Sequence, residues 1–458
     1  MPFLTLPTDV LIITINNLDV KELVALSATC KLLRSLVHDF GWKNIVRLRP
    51  RPSCSLAKAL LHWCPEAQIK YHTLSDHAWS HHKFAARPLS RSWQGKLQPL
   101  LAINNSRLVV AAGHILYSYV FSGSGVEGVA PGMRFECSYW LLKENDSRRD
   151  ITAIAFLPDG GFDRTLFVGF EHGALERIYL PPSKPGQREV EIHSTLRTPF
   201  HYHHGELIES ISISNDLLLS LSSNGVAGLL SLSSTPAPRM IDLGERGWAT
   251  YLSTKSSIPF AAFGTSSETP LAVHTITNSE LSLAPSSVLW SSLKDFESER
   301  PSAVYGIAGP PSTFPCGTSD NIIVSGWYDG FVHVHDLRLP SRAPRCSNRT
   351  NGPAPLFPVL SLSDPWSFEP VYTVSCGGGS SSHIAAGSAR HSVVAFWDVR
   401  SPKTGWSVHA PGERFFAGLL HHFGELALVW RNAEPPICLR LWPWRHLRNI
   451  PAIAEDAR

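Results

Sequence analysis

Three histidine-rich segments are the places in this chain where side chains could gather around a metal ion. They are His81–His82, the group His201, His203 and His204, and His421–His422. Imidazole nitrogens bind zinc in sites that Cys, Asp or Glu usually complete at short, characteristic spacings. None of the three segments has such a partner at a zinc-motif spacing, and adjacent side chains on a strand point to opposite faces. We therefore expect loop histidines, with no metal and no cofactor.

No other segment carries the residues of a catalytic site. The chain has neither a Gly-x-Ser-x-Gly nucleophile turn nor a Gly-Lys-Ser/Thr phosphate loop. The run Gly377–Ser382 is followed by neither a lysine nor a helical pattern, which is typical of a flexible loop. Arg148 and Arg149 could hold a phosphate by paired hydrogen bonds if they faced a ligand, but a solvated loop is the simpler interpretation. The sequence thus predicts a chain that is not an enzyme.

Composition restricts the compartment and the kinds of partner. Eight cysteines are scattered without a CxxC pair, which is typical of reduced thiols in a cytoplasmic or nuclear protein. Asp9 interrupts the first apolar run, and no stretch approaches the roughly 20 apolar residues of a membrane span. A net charge of +3 is too small to indicate a nucleic-acid-binding protein. We expect cytoplasmic or nuclear localisation, with no nucleic-acid or membrane partner.

The first 45 or so residues form a short, strongly apolar helical pattern in a chain that otherwise shows strand patterns. Pro7 suits a first helical turn, and residues 10–15 place apolar side chains on more than one face. Asp19 predicts the N-cap of a second helix, in which Glu22 completes a capping box. Three- and four-residue spacing then continues at Leu23, Leu26 and Cys30. A unit this small cannot bury so much apolar surface alone, which predicts a partner.

This segment resembles the F-box motif. The matching residues are Leu6-Pro7, Asp9, Leu11, Leu18-Asp19, Lys21, Leu23, Leu26-Ser27, Cys30-Lys31, Arg34 and Leu36. Thr14, Thr29 and Leu33 stand where the family usually has Ile, Val and Trp. The resemblance implies binding to the adaptor Skp1 and, through Skp1, to the cullin scaffold of an SCF ubiquitin ligase. The alternative is a helical cap that packs on the chain's own β domain.

The same resemblance implies which side chains dock on Skp1. They are Leu6, Pro7, Val10, Leu11, Leu18, Leu23, Leu26, Leu33 and Leu36. Some of these side chains must instead hold the helices to one another.

From about residue 100, a short apolar strand, a turn and a second apolar strand recur in seven copies. The clearest copies, residues 321–338 and 383–400, contain the turn Asp329-Gly330 and the pair Trp397-Asp398, and another copy has an equivalent tight turn predicted at Asn224-Gly225. Asp-Gly between apolar runs predicts a tight hairpin, and copies about 40 to 60 residues apart suit propeller blades. These features resemble the WD40 repeat, which implies an all-β propeller, predicted with seven blades. A β-sandwich is the alternative, although it would not readily repeat one turn position seven times.

These observations predict four parts along the chain. They are an F-box helical module at 1–48, a linker helix with a possible ring-closing strand at 49–99, a WD40-like propeller at 100–445 and a tail at 446–458. The implied function is that of a non-catalytic substrate-recognition adaptor of an SCF-type E3 ubiquitin ligase. Skp1 would bind the F-box, and a protein substrate, phosphorylated or not, would bind the propeller. A propeller scaffold with no role in ubiquitination is the main alternative, and a propeller enzyme is a third.

Overall fold

The computed structural model describes most of the chain between residues 6 and 443. The described residues are 6–51, 53–80, 98–123, 126–141, 150–200, 203, 205–233, 239–289, 302–310, 320–339, 352–364, 367, 369–376, 383–388, 393–399, 404–409, 417–422, 425–430 and 438–443. The predictions for some segments lie outside these residues, namely those for His81–His82, Arg148–Arg149, His201, His204, 377–382 and 446–458.

The N-terminal part is helical, as predicted. Its helices are α1 (Thr8–Asn16), α2 (Val20–Ser27), α3 (Lys31–Leu36), α4 (Trp42–Leu48), α5 (Ala57–Leu60) and α6 (Pro65–Ser80). A π-helical turn, Val37–Gly41, joins α3 to α4. The capping box is confirmed: Asp19 Oδ1 accepts a hydrogen bond from the Glu22 amide, and Glu22 Oε2 accepts one from the Asp19 amide, each at 2.8 Å. Pro7 is the N-cap residue of α1, so it lies one position before the first helical turn that the sequence predicts for it.

One apolar core holds these helices together. Its buried members are Leu11, Ile15, Leu23, Leu33, Leu36, Val37, Trp42 and Ile69. Ile69 lies on α6, and α6 also contacts α4, so the segment predicted as a linker shares the core of the helical module. Arg51 reinforces this attachment, because its guanidinium pairs with Asp76 and donates to the His72 carbonyl oxygen at 3.3 Å.

The rest of the described chain is built from short β-strands. In chain order they are β1 (Leu100–Ile103), β2 (Arg107–Ala112), β3 (Ile115–Ser122), β4 (Gly132–Trp140), β5 (Ile151–Phe156), β6 (Thr165–Phe170), β7 (Leu175–Tyr179), β8 (Glu189–Glu191), β9 (Arg197–Phe200), β10 (Ile208–Ser214), β11 (Leu217–Ser222), β12 (Val226–Ser231), β13 (Arg239–Asp242), β14 (Gly247–Ser253), β15 (Phe260–Ser267), β16 (Leu271–Thr277), β17 (Glu280–Leu281), β18 (Ser287–Leu289), β19 (Ser302–Ala308), β20 (Ile322–Trp327), β21 (Phe331–Asp336), β22 (Ala354–Pro355), β23 (Pro358–Ser363), β24 (Val371–Cys376), β25 (His383–Ser388), β26 (Val393–Asp398), β27 (Thr404–His409), β28 (Ala417–His422), β29 (Glu425–Trp430) and β30 (Cys438–Pro443).

The strands form successive antiparallel sheets, which we number along the chain. Sheet 1 is β1–β4 with β8 added in parallel, sheet 2 is β5–β6–β7–β9, and sheet 3 is β10–β13. Sheet 4 (β14–β15–β16–β18) and sheet 5 (β19–β20–β21–β23) join through two residue pairs between β15 and β19. With β17 paired to β16 and β22 paired to β18, they form one ten-stranded sheet. Sheet 6 is β24–β27 with β30, and among the described strands β28 and β29 form a separate two-stranded sheet. The first strands contact one another in the order β1, β5, β10, β14, β19, β24 and β28, and β28 contacts β1.

This arrangement confirms the predicted order of a helical N-terminal part followed by a propeller-like β domain. The predicted tight turns are also confirmed, since Asn224-Gly225 joins β11 to β12 and Asp329-Gly330 joins β20 to β21. Both glycines adopt positive φ, 89° and 84° respectively. At Gly225 a Cβ atom would lie 2.0 Å from the Glu245 carbonyl oxygen, so this turn requires glycine.

The domain has two faces, which we define by their connections. The turn face carries the tight turns between the second and third strands of each sheet and the connections between sheets. The loop face carries the connections between first and second strands and between third and fourth strands. The neighbouring first strands β10 and β14 run in the same direction, since Ser210 and Ser212 on β10 bond Thr250 and Leu252 on β14 in step, at 3.0 to 3.1 Å.

Candidate protein-interaction sites

The predicted Skp1-binding residues divide into buried and accessible groups. Leu11, Leu23, Leu33 and Leu36 are buried in the helical core. Leu6, Leu18 and Leu26 are half-buried against that core, whereas Pro7 and Val10 are exposed. The four buried leucines therefore hold the helices together, and only the other five offer surface to a partner.

Several exposed apolar side chains of the same helices were missing from the sequence prediction. They are Ile13, Val24, Leu32 and Phe40, of which Ile13 is 63% exposed and Val24 55% exposed. Ile13 follows Val10 by three residues on α1, and Val10 follows Pro7 by three, so this helix presents one apolar stripe outward. That spacing was visible in the sequence, although nothing there showed which face of α1 is buried. We call Pro7, Val10, Ile13, Val24 and Leu32 the helical apolar surface.

The helical part attaches to the loop face of the β domain. The Cys64 amide donates a hydrogen bond to the Glu127 carboxylate, in the connection between β3 and β4. Lys58 Nζ lies 3.7 Å from Asp163 Oδ2, in the connection between β5 and β6. A cleft of about 430 Å³ between α5 and sheet 1 is lined by residues that include Trp63 and Phe121. The turn face therefore lies on the opposite side of the β domain from these contacts.

A buried ionic network supports the sheets to which the helices attach. Glu136 on β4 accepts hydrogen bonds from Arg107 Nη1 at 2.5 Å and from Arg164 Nη2 at 2.8 Å, and Ser118 Oγ donates to it at 2.8 Å. Arg107 is on β2 and Arg164 directly precedes β6, so the network ties sheet 1 to sheet 2. Burial raises the pKa of the Glu136 carboxyl, but Arg107, Ser118 and Arg164 outweigh burial and hold the pKa below its ordinary value.

A cluster of aromatic side chains lies where first strands begin at the turn face. Tyr305 on β19 stacks on Tyr372 of β24 with ring centroids 4.5 Å apart and an interplanar angle of 9°. Trp248 on β14 meets Tyr305 edge-on at 4.8 Å, and Tyr328, in the turn between β20 and β21, lies 6.2 Å from Tyr305. Burial, together with Tyr372 and Tyr328, raises the pKa of Tyr305 to about 12, so its phenol is neutral. We call these four residues the turn-face aromatic cluster.

One arginine and one glutamate complete this cluster. The guanidinium carbon of Arg246 lies 3.9 Å from the ring centroid of Trp248, and Arg246 Nη2 lies 3.5 Å from Glu209 Oε2. Burial raises the pKa of Glu209, which the charge of Arg246 offsets only in part. The indole Nε1 of Trp248 donates to Ser266 Oγ at 2.6 Å, which fixes the ring that Arg246 covers. The sequence did not reveal this cluster, because its members belong to different sheets.

The expectation of loop histidines is wrong for His421 and His422, which are the last two residues of β28. In the central histidine group, the described member makes a hydrogen bond within the β domain. His203 is buried, and its Nε2 lies 2.8 Å from Ser220 Oγ. In the described part of the chain, no group of three or more His, Cys, Asp or Glu residues could hold a metal ion. None of the helices described is both long enough and apolar enough to span a membrane.

Comparisons with known proteins agree with the N-terminal assignment. The F-box domain model matches residues 3–46, which confirms the resemblance seen in the sequence. No curated protein matches the chain. Among solved structures, the chain is similar to Chaetomium thermophilum Sqt1 bound to the N-terminus of the ribosomal protein L10, at 13% identity and a TM-score of 0.46. That similarity covers 74% of this chain and 81% of the Sqt1 chain.

Proposed function

We propose that this chain is a substrate-recognition adaptor of an SCF-type ubiquitin ligase. Its helical module would bind Skp1, and through Skp1 cullin, while the propeller-like domain would bind a protein substrate. The observation that carries this proposal is the F-box domain at residues 3–46, whose helices keep large apolar side chains exposed in the folded chain. Because each such Val, Leu or Ile is about half exposed, its complete burial by a partner would gain roughly half of the 1.5–3 kcal/mol that a fully exposed side chain gains, which favours association.

The division between core and surface refines the Skp1 site. Leu11, Leu23, Leu33 and Leu36 would act through the fold of the module, because they are buried before any partner arrives. The direct contacts would come from the helical apolar surface, with the half-buried Leu6, Leu18 and Leu26 at its margin. Of the departures from the motif at Thr29 and Leu33, Leu33 is a core position and Thr29 is exposed. These departures would therefore affect the stability of the module as well as its contacts with Skp1.

The attachment of the helices to the loop face would place the Skp1-binding and substrate-binding surfaces on different sides of the β domain. The contacts Lys58–Asp163 and Cys64–Glu127 join the helical part to the loop face. The turn face on the other side is then the surface available to a substrate. The chain would supply proximity rather than chemistry, by holding substrate lysines close to the ligase's catalytic partner. It would therefore not itself be an enzyme.

We also propose a seven-bladed ring for the β domain. The closed order of contacts among the first strands, from β1 through β28 and back to β1, supports this number. Sheets 4 and 5 would count as two blades, because each has its own four-stranded antiparallel order and only two residue pairs join them.

We also propose a cellular compartment for the protein and a longer boundary for its helical unit. The described cysteines Cys30, Cys54, Cys64, Cys137 and Cys376 are free thiols, which supports a cytoplasmic or nuclear compartment. The core contact of Ile69 supports extending the helical unit beyond residue 48 through α6.

Co-purification of Skp1 with the full chain tests the proposal. Ile13→Asp and Val24→Asp place a charge on the helical apolar surface without touching the core, so they should abolish recovery of Skp1. Leu283→Asp is the matched control, because Leu283 is 87% exposed on the β domain and should leave recovery unchanged. Circular dichroism would verify that all three variants fold. If wild-type chain recovers no Skp1, the proposal is wrong, and if Skp1 binds but cullin never joins, the scaffold alternative is favoured.

A further inference from the structure

The turn-face aromatic cluster lies on the face of the β domain that is available to a substrate. Trp248 and Tyr372 lie near the starts of β14 and β24, and Tyr305 lies in the middle of β19; these are the first strands of three successive sheets. Tyr328 reaches the cluster from a tight turn and is 50% exposed. The helical part contacts the opposite face, so binding of Skp1 would not cover this cluster.

The cluster already holds a cation that belongs to the chain itself. Arg246 covers the Trp248 ring at 3.9 Å, with Glu209 as its acidic partner at 3.5 Å. The face of an indole ring carries negative electrostatic potential and attracts guanidinium and ammonium groups. Trp248 and Glu209 therefore form a surface whose chemistry fits a positive side chain. Because burial still raises the pKa of Glu209, this carboxylate would gain from further positive charge nearby.

The described turn-face connections also carry charges that favour a positive ligand. Exposed acidic residues occur on turn-face connections of several sheets, at Glu171, Glu206, Glu245, Glu268 and Asp329. Across the described ranges of these connections, Arg246 is the only Lys or Arg, and Glu209 already neutralises it. The acidic side chains of these described connections attract basic segments and disfavour phosphate groups beside them, with an effect that salt weakens.

We infer that the turn-face aromatic cluster binds a lysine or arginine side chain of the protein substrate, with Arg246 occupying the site when it is empty. The incoming cation would displace Arg246 from the Trp248 ring and lie beside the Glu209 carboxylate, in the cluster to which Tyr305 and Tyr328 also belong. The substrate segment is therefore basic rather than phosphorylated. This inference rests on the proposed function only in taking the β domain as the substrate-binding part.

Fluorescein-labelled peptides and fluorescence anisotropy with the full chain test this inference. The probes are a Gly/Ser peptide with three arginines, a matched peptide with three glutamates and a third with three phosphoserines. The arginine peptide should bind more tightly than the other two, and its binding should weaken as salt is added. Tyr328→Ala should weaken its binding by about two- to fivefold, which corresponds to one exposed cation–π contact.

The Arg246→Ala variant tests whether Arg246 competes with the substrate cation for the Trp248 ring. If Arg246 is an internal competitor, its removal should strengthen binding of the arginine peptide by about two- to fivefold. Arg239→Ala is the matched control, because Arg239 also pairs with a glutamate, Glu280, at 2.6 Å but lies on β13 outside the cluster, and it should change nothing.

Three results would overturn the inference: no binding of the arginine peptide, tighter binding of the phosphoserine peptide, or loss of arginine-peptide binding in Arg246→Ala. Skp1 recovery is measured on the same samples, so failure here with Skp1 still bound leaves the proposed function standing. Conversely, peptide binding without Skp1 recovery would contradict the proposed function while supporting this inference.

Discussion

Replacing Glu136 with Gln should strongly destabilise the part of the β domain to which the helices attach. The Glu136 side chain is only 10% exposed, and Arg107, its closest partner, is 5% exposed. Gln keeps the shape of the side chain but removes the negative charge, which leaves two largely buried guanidinium groups uncompensated. Removal of one member of a buried ion pair costs about 3–5 kcal/mol, and we expect a loss near the lower limit because Gln still accepts a hydrogen bond.

Urea unfolding followed by tryptophan fluorescence measures this loss as a shift of the midpoint. Glu280→Gln is the matched control, because its pair with Arg239 is exposed and contributes at most about 1 kcal/mol. Similar midpoint shifts for the two variants would refute the argument that burial makes the Glu136 network contribute more to stability than an exposed ion pair.

The pH dependence of the same variant gives an independent check. The pKa of Glu136 is lowered in the folded chain, so its contribution is present above the ordinary value of 4.5 and is lost as pH falls through the folded value. The stability difference between wild type and Glu136→Gln should therefore shrink only below about pH 4.5. A difference that disappears already near neutral pH would contradict this assignment.

Two further predictions concern the backbone of one turn and a buried histidine. Gly225→Ala should lower the free energy of unfolding in urea by roughly 1–3 kcal/mol, because Gly225 has positive φ and the new Cβ would meet the Glu245 carbonyl oxygen. Gly244→Ala is the control and should cost less, because Gly244 also has positive φ but faces open space. Equal losses in the two variants would show that the contact with Glu245 is unimportant. Burial and Arg51 lower the pKa of His72 to about 4, so its contribution to stability should fall as pH drops from 6.5 towards 4. His72→Gln should flatten this part of the Tm–pH profile, and an unchanged profile would contradict the assignment.

The sequence predicted best those features whose partners are close along the chain. The Asp19–Glu22 capping box and the Asn224-Gly225 turn involve residues at most three positions apart, so a short motif contains all their chemistry. The F-box domain could be identified for the same reason, since residues 3–46 carry its whole motif.

Features that depend on packing between distant segments could not be predicted in this way. Apolar residues lie on several sides of α1, so the sequence did not show that Leu11 is buried while Ile13 is exposed. Ile69 joins the helical core only because α6 folds back onto α4. Trp248 and Tyr305 meet only because their sheets are neighbours, and no local pattern records that contact.

Hydrogen exchange of the full chain, with and without purified Skp1, tests the central claim most directly. The claim predicts that Skp1 slows amide exchange in α1–α3 and leaves the turn-face residues around Trp248 and Tyr328 unchanged. The Ile13→Asp variant should show no such protection, because its charge lies on the proposed contact surface. Protection confined to the turn face, or no protection anywhere in α1–α3 at saturating Skp1, would contradict the claim that the helical module binds the ligase and leaves the turn face open to substrate.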